Sequence, residues 1–564
     1  MKMLFTFRPA LLDSLKNYSA RDFYADLPAG ITVGIVALPL SMALAIASGL
    51  PPQVGLFAAV IAGLCISVFG GSKVQIGGPA GAFVPLLAPI VMKHGPEALV
   101  ACALMAGVLL LVLGACQLGS LIKYIPFPVV MGFTSGIAII IISTQIRDFF
   151  GLPEKLPSDF IGKLQTVAVN FHPNWPTVLL GTLCTLAIWH WPKKIGHRLP
   201  GSMVIVVLAG LASYLFDWPD KFGIQTLGTQ FGDMPRTLPM PHWPALSFDE
   251  WRGLIPAAMT IAVLGAIESL LSAVVSDGMI DDRHNSNQEL MGQGIANIAM
   301  GIFGCMPATG VIARTATNVR CGGRTPVAGI IHSLTVLVIL VVAAPLAKHI
   351  PMAALSAVLI VVSLRMGEWH RFRRLNRWPR SDVAVFLCAF SLTVCIDLPT
   401  AVGASLILAS ALLVGRLSEL TQVHADEYIA AQGADGKPVS GKLPNGVMVF
   451  RIFGAFFFGA ADKLETSLRR AGELPEVLIL RMGDVLALDA TGLDALEDLL
   501  EDLLEKLRIK KKELILCGPR SQPLFALTRA GLIDRIGEEN IRGDVDGAIE
   551  RAQEILAAKQ PGKK

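Results

Sequence analysis

The chain has 564 residues, 53% of them hydrophobic and only 16% charged, where soluble domains carry about 25% charge. A mean hydropathy of +0.58 excludes a disordered chain and argues against a wholly soluble one. The net charge of +4 is too small to suggest nucleic-acid binding. The nine cysteines contain no CxxC pair, so neither a disulfide framework nor a zinc ribbon is supported.

The opening residues, MKMLFTFRPALLDSLKNYSARDFYADLPAG, lack a continuous apolar core and a small-residue cleavage site. They read as a short cytoplasmic lead-in (residues 1–26), not a signal peptide. Apolar runs follow, each a candidate for a spanning helix of about 20 residues. They fall near 27–49, 53–70, 77–92, 97–117, 126–150, 174–191, 199–216, 253–277, 289–304, 310–319, 326–346, 351–366, 381–397 and 399–417. An even number of crossings puts both termini on one side. Lys73, Lys123, Lys193, Lys194, Arg198, Arg320, Arg324 and the run Arg371, Arg373, Arg374, Arg377 and Arg380 then share that side. The positive-inside rule makes it the cytoplasm.

Segments three and ten are short and broken. The third begins with Gly77, Gly78, Pro79 and Gly81, and the tenth with Pro307 and Gly310. They hold the same place in two halves of seven, the sequence pattern that points to a transporter binding site. Irregular backbone at membrane depth must be buried in protein or line a cavity. Each half-helix start leaves N–H groups unpaired and about half a positive charge. Two such starts facing each other suit an anion. Packing is the alternative reading of these glycines, as it is of Gly30 and Gly34 in segment one.

Two ionisable residues interrupt apolar runs, Glu268 in segment eight and Arg314 in segment ten. Intramembrane charges usually face a cavity or a partner. Arg314 would attract an anion directly. Glu268 is a poor anion ligand while ionised; it suits a proton carrier or a cation ligand, and a Glu268–Arg314 ion pair is the structural alternative. Asp397 and Arg147 sit at segment ends and read as interfacial. His284 and Glu289, in DDRHNSNQEL, read as solvated or capping. No catalytic constellation, metal-ligand spacing or GxxxxGK[ST] motif is visible, so an enzyme and ATP-driven transport by this chain alone are both disfavoured. The drive must come from an ion gradient or from the substrate's own gradient.

After Arg416 the composition becomes that of a soluble domain. AAQGADGKPVSGKLPNG marks a linker, 419–445, closing a transmembrane region of 27–418. Residues 446–558 alternate short aliphatic runs with helical patterns, as a small α/β domain does, and 559–564 read as a disordered tail. Asp489 can cap the helix that follows it, placing Thr491 in the first turn. A phosphate there would gain from the helix N-terminus; a plain first-turn polar residue is the simpler reading.

Several stretches together resemble the SulP family of anion permeases with a C-terminal STAS domain, over nearly the whole chain. They are DLPAGITVGIVALPLSMALAIASGLPPQVGLFAA, GGSKVQIGGPAGAF, FPVVMGFTSGIAI, LGAIESLLSAVVSDGM, RHNSNQELMGQGIANI, ATGVIARTATNVRCGGRTPVAG and LALDATGLDAL. The resemblance lies toward the bacterial sulfate permease and aerobic C4-dicarboxylate transporter branch. It implies a polytopic α-helical membrane protein with fourteen segments in two inverted repeats of seven. Segments one to four and eight to eleven would form a mobile core, and the rest a gate that serves as the homodimer scaffold. The core would carry the anion by an elevator movement.

The family's pocket carries over to Leu40 and Leu44, Ala80 and Gly81, and Ile312, Ala313 and Arg314. Many members have Gln at the place of Leu40, an aromatic at Leu44 and Ser at Ala313, so this pocket offers fewer side-chain hydrogen bonds. Sodium-coupled bicarbonate members carry Asp at the place of Glu268 and Thr at that of Ser272, and a hydroxyl where Ile312 stands. The resemblance therefore implies protons in preference to sodium as the coupling ion, with no other cofactor. Sulfate-class uptake across the bacterial inner membrane is expected first, with both termini and the STAS domain cytoplasmic. C4-dicarboxylate or bicarbonate transport, or an anion channel or sensor on the same scaffold, are the alternatives. Implied partners are the small anion, membrane lipid, a second copy of the chain and a cytoplasmic protein on the STAS domain, where Thr491 matches a phosphorylated Ser of related regulators. Nucleic acid is not expected.

Overall fold

The computed structural model describes residues 7–120, 126–154, 156–157, 159–192, 200–420, 422–426, 428–432, 438–456, 460–470, 475–488, 490–509 and 512–559. Its contacts divide the chain into two compact units, Met1–Ala409 and Ser410–Lys564.

In the first unit every expected apolar run contains a helix. The first, Ala20–Ala47, starts earlier than the apolar run because a capping box between Ser19 and Asp22 nucleates it within the polar lead-in. Pro51–Pro52 open the second, Pro52–Phe69. The third and fourth are two helices within Val84–Ala115 that meet at a kink at Gly95 (φ 79°, ψ 175°), followed by Pro96. The fifth is Phe127–Thr144, extended by Ile146–Phe150. A short amphipathic helix, Phe160–Val169, follows it and was not among the expected runs. The sixth and seventh are Trp175–Trp189 and Gly201–Phe216.

The second half repeats this order. It contains Phe248–Ile280, Ser286–Ile302, the nine-residue Ile312–Arg320, Pro326–Ala347, Met352–Met366, Arg380–Cys395 and Leu398–Leu420. Among the described residues, eight helices are long and apolar enough to cross a membrane by themselves.

Packing sorts these helices into two groups. The first segment lies on the eleventh, the second on the ninth and eleventh, and Val84–Ala115 on the eighth and ninth. The fifth lies on the twelfth and thirteenth, and the sixth on the twelfth. The groups meet where the first segment touches the seventh and twelfth. Gly30 and Gly34 serve packing: a Cβ on Gly34 would stand 2.8 Å from Cβ of Thr335 on the eleventh segment.

The second unit is a small α/β domain. Five strands run in the order Gln422–Asp426, Val447–Phe456, Val477–Leu488, Glu513–Cys517, Ile541–Arg542. The first pairs antiparallel and the others parallel. Strand Val477–Leu488 is a near-continuous apolar run because both its faces are covered. Leu478 and Leu480 enter a core with Leu500 and Leu507 of helix Ala490–Ile509. Val477 and Ile479 pack instead with Ala548 and Ala552 of helix Val545–Lys559. Part of the expected linker is strand: Gln422–Asp426 joins the sheet, and Tyr428–Gln432 pairs with Pro438–Lys442. The expected tail lies outside the described residues apart from Lys559, which ends the last helix.

Candidate functional site

The two broken segments cross. Gly77 and Gly78 pair antiparallel with Gly310 and Thr309, and the Val311 N–H donates to the Ile76 carbonyl at 2.9 Å. Each strand then turns into a helix. One start runs through a 3-10 turn, Gly81–Phe83, preceded by Ala80; the other is Ile312–Arg320, preceded by Val311. Neither Ala80 nor Val311 has a side-chain oxygen, so neither start is capped by its own sequence. This is the arrangement that the paired breaks predict.

Arg314, in the first turn of the tenth segment, is 1% exposed. Its Nη2 donates to Ser41 Oγ at 2.9 Å and to the Pro79 carbonyl at 3.4 Å. Its Nε and Nη1 are buried without a hydrogen-bond partner among the described residues. Nη1 lies against Gly78 (φ 154°), so closely that a Cβ there would fall on the guanidinium. A buried guanidinium with unused donors is costly unless an acceptor arrives.

The other expected pocket residues lie around this crossing. Leu40 and Leu44 are buried on the first segment, flanking Ser41, and Ala80 is fully buried. A Cβ on Gly81 would lie 3.9 Å from Leu44 and 3.0 Å from Ile141 of the fifth segment. Ile312 (38% exposed) and Ala313 are on the open side of the tenth helix.

Glu268 and Ser272 are one turn apart on the eighth segment. Ser272 donates to Thr315 Oγ1 at 3.3 Å, and that oxygen also accepts the Ile76 N–H at 3.1 Å. Oε2 of Glu268 is buried with no partner. The alternative of a Glu268–Arg314 ion pair is not formed: Arg314 turns toward the first and third segments instead. Asp397 accepts the Thr400 N–H at 2.7 Å, capping the last segment, in keeping with a segment-end role. Thr491 is in the first turn of helix Ala490–Ile509; its side chain, and Asp489, lie outside the described residues.

Glu289 requires a correction. Far from being solvated, it is fully buried. One oxygen accepts the N–H groups of Gly71 (2.9 Å) and Ser72 (3.1 Å). The other accepts from Gln75 (3.0 Å), Ser269 (3.2 Å) and Gln293 (2.9 Å). His284 is likewise largely enclosed, between Asp277 at 2.7 Å and Ser286 at 2.9 Å. The carboxylate of Glu289 ties the lead into the third segment to the eighth and ninth.

Sequence reasoning also passed over Ser41, Gln75, Thr315 and Asn297, which bridges to Ala308 through both its N–H and C=O groups. A signal existed for part of this set. Glu289, Gln293 and Asn297 recur every four residues and so form one polar face on an otherwise apolar helix.

Comparison with known proteins gives the family and the fold. The sequence pattern described as "Sulfate permease family" matches residues 23–389, and that of the "STAS domain" matches 441–548. YvdB of Bacillus subtilis, which its name marks as a sulfate-transporter candidate, is 40% identical over 93% of this chain and 97% of its own. Bicarbonate transporter BicA of Picosynechococcus is 28% identical over 94% of this chain and 95% of its own. The solved transmembrane domain of a cyanobacterial BicA superposes with a TM-score of 0.61 at 29% identity, covering 70% of this chain and 98% of that one. Murine Slc26a9, at 19% identity, shares the fold with a TM-score of 0.85 over 97% of this chain and 94% of that one. The chain belongs to the sulfate permease family of anion transporters and ends in a STAS domain.

Proposed function

We propose that the protein takes up a small inorganic anion of the sulfate class by proton-coupled secondary transport. The observation that carries this reading is the buried Arg314, whose Nε and Nη1 have no partner beside two uncapped half-helix starts. In this reading the anion rests between Ala80–Gly81 and Ile312–Ala313. Backbone N–H groups and the guanidinium hold it, and Leu40 and Leu44 form an apolar wall. Oxyanions with several acceptors suit that donor set.

Glu268 is the coupling residue. It lies on the same packed group as the anion site, and a carboxyl with an unpartnered buried oxygen can take and release a proton as that group moves. Ile312 has no side-chain oxygen where the sodium-coupled members carry a hydroxyl, so protons are the preferred coupling ion. The group of segments one to four and eight to eleven is the moving body of an elevator, and the remaining segments are its fixed scaffold in a homodimer. The protein operates in a bacterial plasma membrane. Both termini and the STAS domain lie on the cytoplasmic side, where the STAS domain is open to a protein partner and Thr491 to phosphorylation.

Bicarbonate transport is the second reading, favoured by the match to BicA over nearly the full length of both chains. The experiment that separates them is uptake into liposomes of labelled sulfate, succinate and bicarbonate, with an inward proton gradient, an inward sodium gradient or neither. Proton-driven sulfate uptake is expected. Sodium-driven bicarbonate uptake would replace the first reading with the second. No gradient-dependent uptake would overturn coupled transport.

A further inference from the structure

Away from the anion site, a cavity of about 500 Å³ opens where the first and second segments face the seventh and eleventh. Its wall is almost entirely apolar and includes Leu38, Met42, Val206, Leu340 and Ala343. At its mouth Val207, Leu211 and Leu346 are 51%, 51% and 71% exposed. On helices that cross a membrane, such residues face acyl chains, so the cavity opens toward lipid. Its size lies within the range of about 300–1,000 Å³ typical of ligand sites.

Beside this cavity lies a second, polar one of about 330 Å³. The Tyr214 and His349 rings, 4.8 Å apart, stand between the two and line both. The polar chamber lies where the seventh and eleventh helices both end, at Phe216 and Ala347. It contains Ser213, Asp217, Thr229 and Lys348. Ser213 is 2% exposed, and its hydroxyl oxygen has no hydrogen-bond partner. Lys348 holds only a long surface pair with Asp233 at 3.7 Å. The Asp217 carboxylate has no ion-pair partner among the described residues.

An apolar cavity beside a chamber with one cation, one anion and an unused hydroxyl matches one class of molecule. We propose that the two cavities bind a phospholipid whose headgroup carries a primary amine. The acyl chain fills the apolar part, the phosphate meets Lys348 and Ser213, and the ammonium meets Asp217. Opposite charges lining one chamber complement a zwitterionic headgroup and discriminate against a purely anionic one. Because the cavity lies between the two packed groups of helices, its occupant contacts both of them.

The test is native mass spectrometry of the full-length protein, stripped of lipid and then titrated with phosphatidylethanolamine, phosphatidylglycerol or phosphatidylcholine. Retention of the ethanolamine lipid is expected to exceed that of the glycerol lipid about tenfold, the equivalent of about 1.4 kcal/mol. Asp217→Asn, a change at an exposed position, should remove that preference by lowering retention of the ethanolamine lipid and raising that of the glycerol lipid. Ala343→Trp, which fills the apolar part, should abolish retention of all three. Equal retention of the three lipids by the wild-type protein would overturn the headgroup assignment. Undiminished retention by a folded Ala343→Trp protein would overturn the site itself.

Discussion

Two charges are buried in the same packed group of helices, and they are treated in opposite ways. Glu289 accepts five hydrogen bonds from three parts of the chain. Arg314 has five donors and uses one nitrogen. A carboxylate whose lone pairs are all engaged is architecture: it fixes how the third, eighth and ninth segments meet. A guanidinium left short of acceptors, beside two helix starts that are also short of acceptors, is the donor set that the proposed anion site requires. Burial is equal at the two positions, so what separates them is the count of satisfied partners.

The largest expected effect of breaking that contrast is on the satisfied side. Glu289→Ala takes an acceptor from five buried donors, of which only Gln75 keeps another, on Ser269. The loss of one partner of a buried charged network costs about 3–5 kcal/mol, so the variant should fail to accumulate or should melt far below the wild type. A wild-type melting profile would show that Glu289 is not a structural hub.

Arg314→Ala should do the reverse. Anion uptake should fall at least tenfold, while the melting temperature stays level or rises because an under-partnered charge is removed. Arg314→Lys should not restore uptake, since an ammonium cannot reach Ser41, Pro79 and an anion in one plane. A large drop in stability with Arg314→Ala would place it with Glu289 as architecture.

Glu268→Gln should leave anion binding intact and abolish the dependence of uptake on the proton gradient. Exchange of labelled for unlabelled anion across the membrane is expected to persist in this variant. Proton-driven accumulation at the wild-type rate would exclude Glu268 as the coupling residue. Gly78→Ala should lower uptake about tenfold without altering the fold of the second unit, because its Cβ falls on the guanidinium. Unchanged uptake there would mean that Arg314 need not hold its observed position.

The smallest effect belongs to a charge at the surface. Lys73, 2.7 Å from Asp282, holds that carboxyl below its usual range. A carboxyl lowered in the folded state adds stability above its unfolded pKa of about 4 and loses it as the pH falls further. Asp282→Asn should therefore cost no more than about 0.5 kcal/mol at neutral pH. The difference from the wild type should vanish in acid. A difference that grew in acid would contradict the assignment.

Much of the fold was legible because hydropathy and proline placement report directly on spanning helices. The pair of interrupted segments points to the facing half-helix starts from sequence alone, since Gly77–Gly78–Pro79 and Pro307–Gly310 do not favour a continuous helix. The positions of Leu40, Leu44, Gly81 and Arg314 around it followed from the family resemblance, and the structure sets them within one neighbourhood.

The role of Glu289 was not legible in the same way. Its loop-like surroundings, DDRHNSNQEL, carry the composition of a solvated turn. The partners that bury it come from Gly71, Ser72 and Gln75, more than 200 residues earlier. The break at Gly95 was legible, since the expected runs 77–92 and 97–117 stop on either side of it; that one positive φ is enough to join the two helices there was not. The strand Gln422–Asp426 was obscured by the glycines and prolines that follow it.

The most direct test of the central claim is equilibrium binding of sulfate to the purified protein in lipid nanodiscs, wild type beside Arg314→Ala, with melting temperature recorded on both. The account predicts that sulfate binds and stabilises the wild type, that the variant loses this response, and that the variant without sulfate melts no lower than the wild type. Equal sulfate binding by the two folded proteins would contradict the assignment of the unpartnered guanidinium to the anion site.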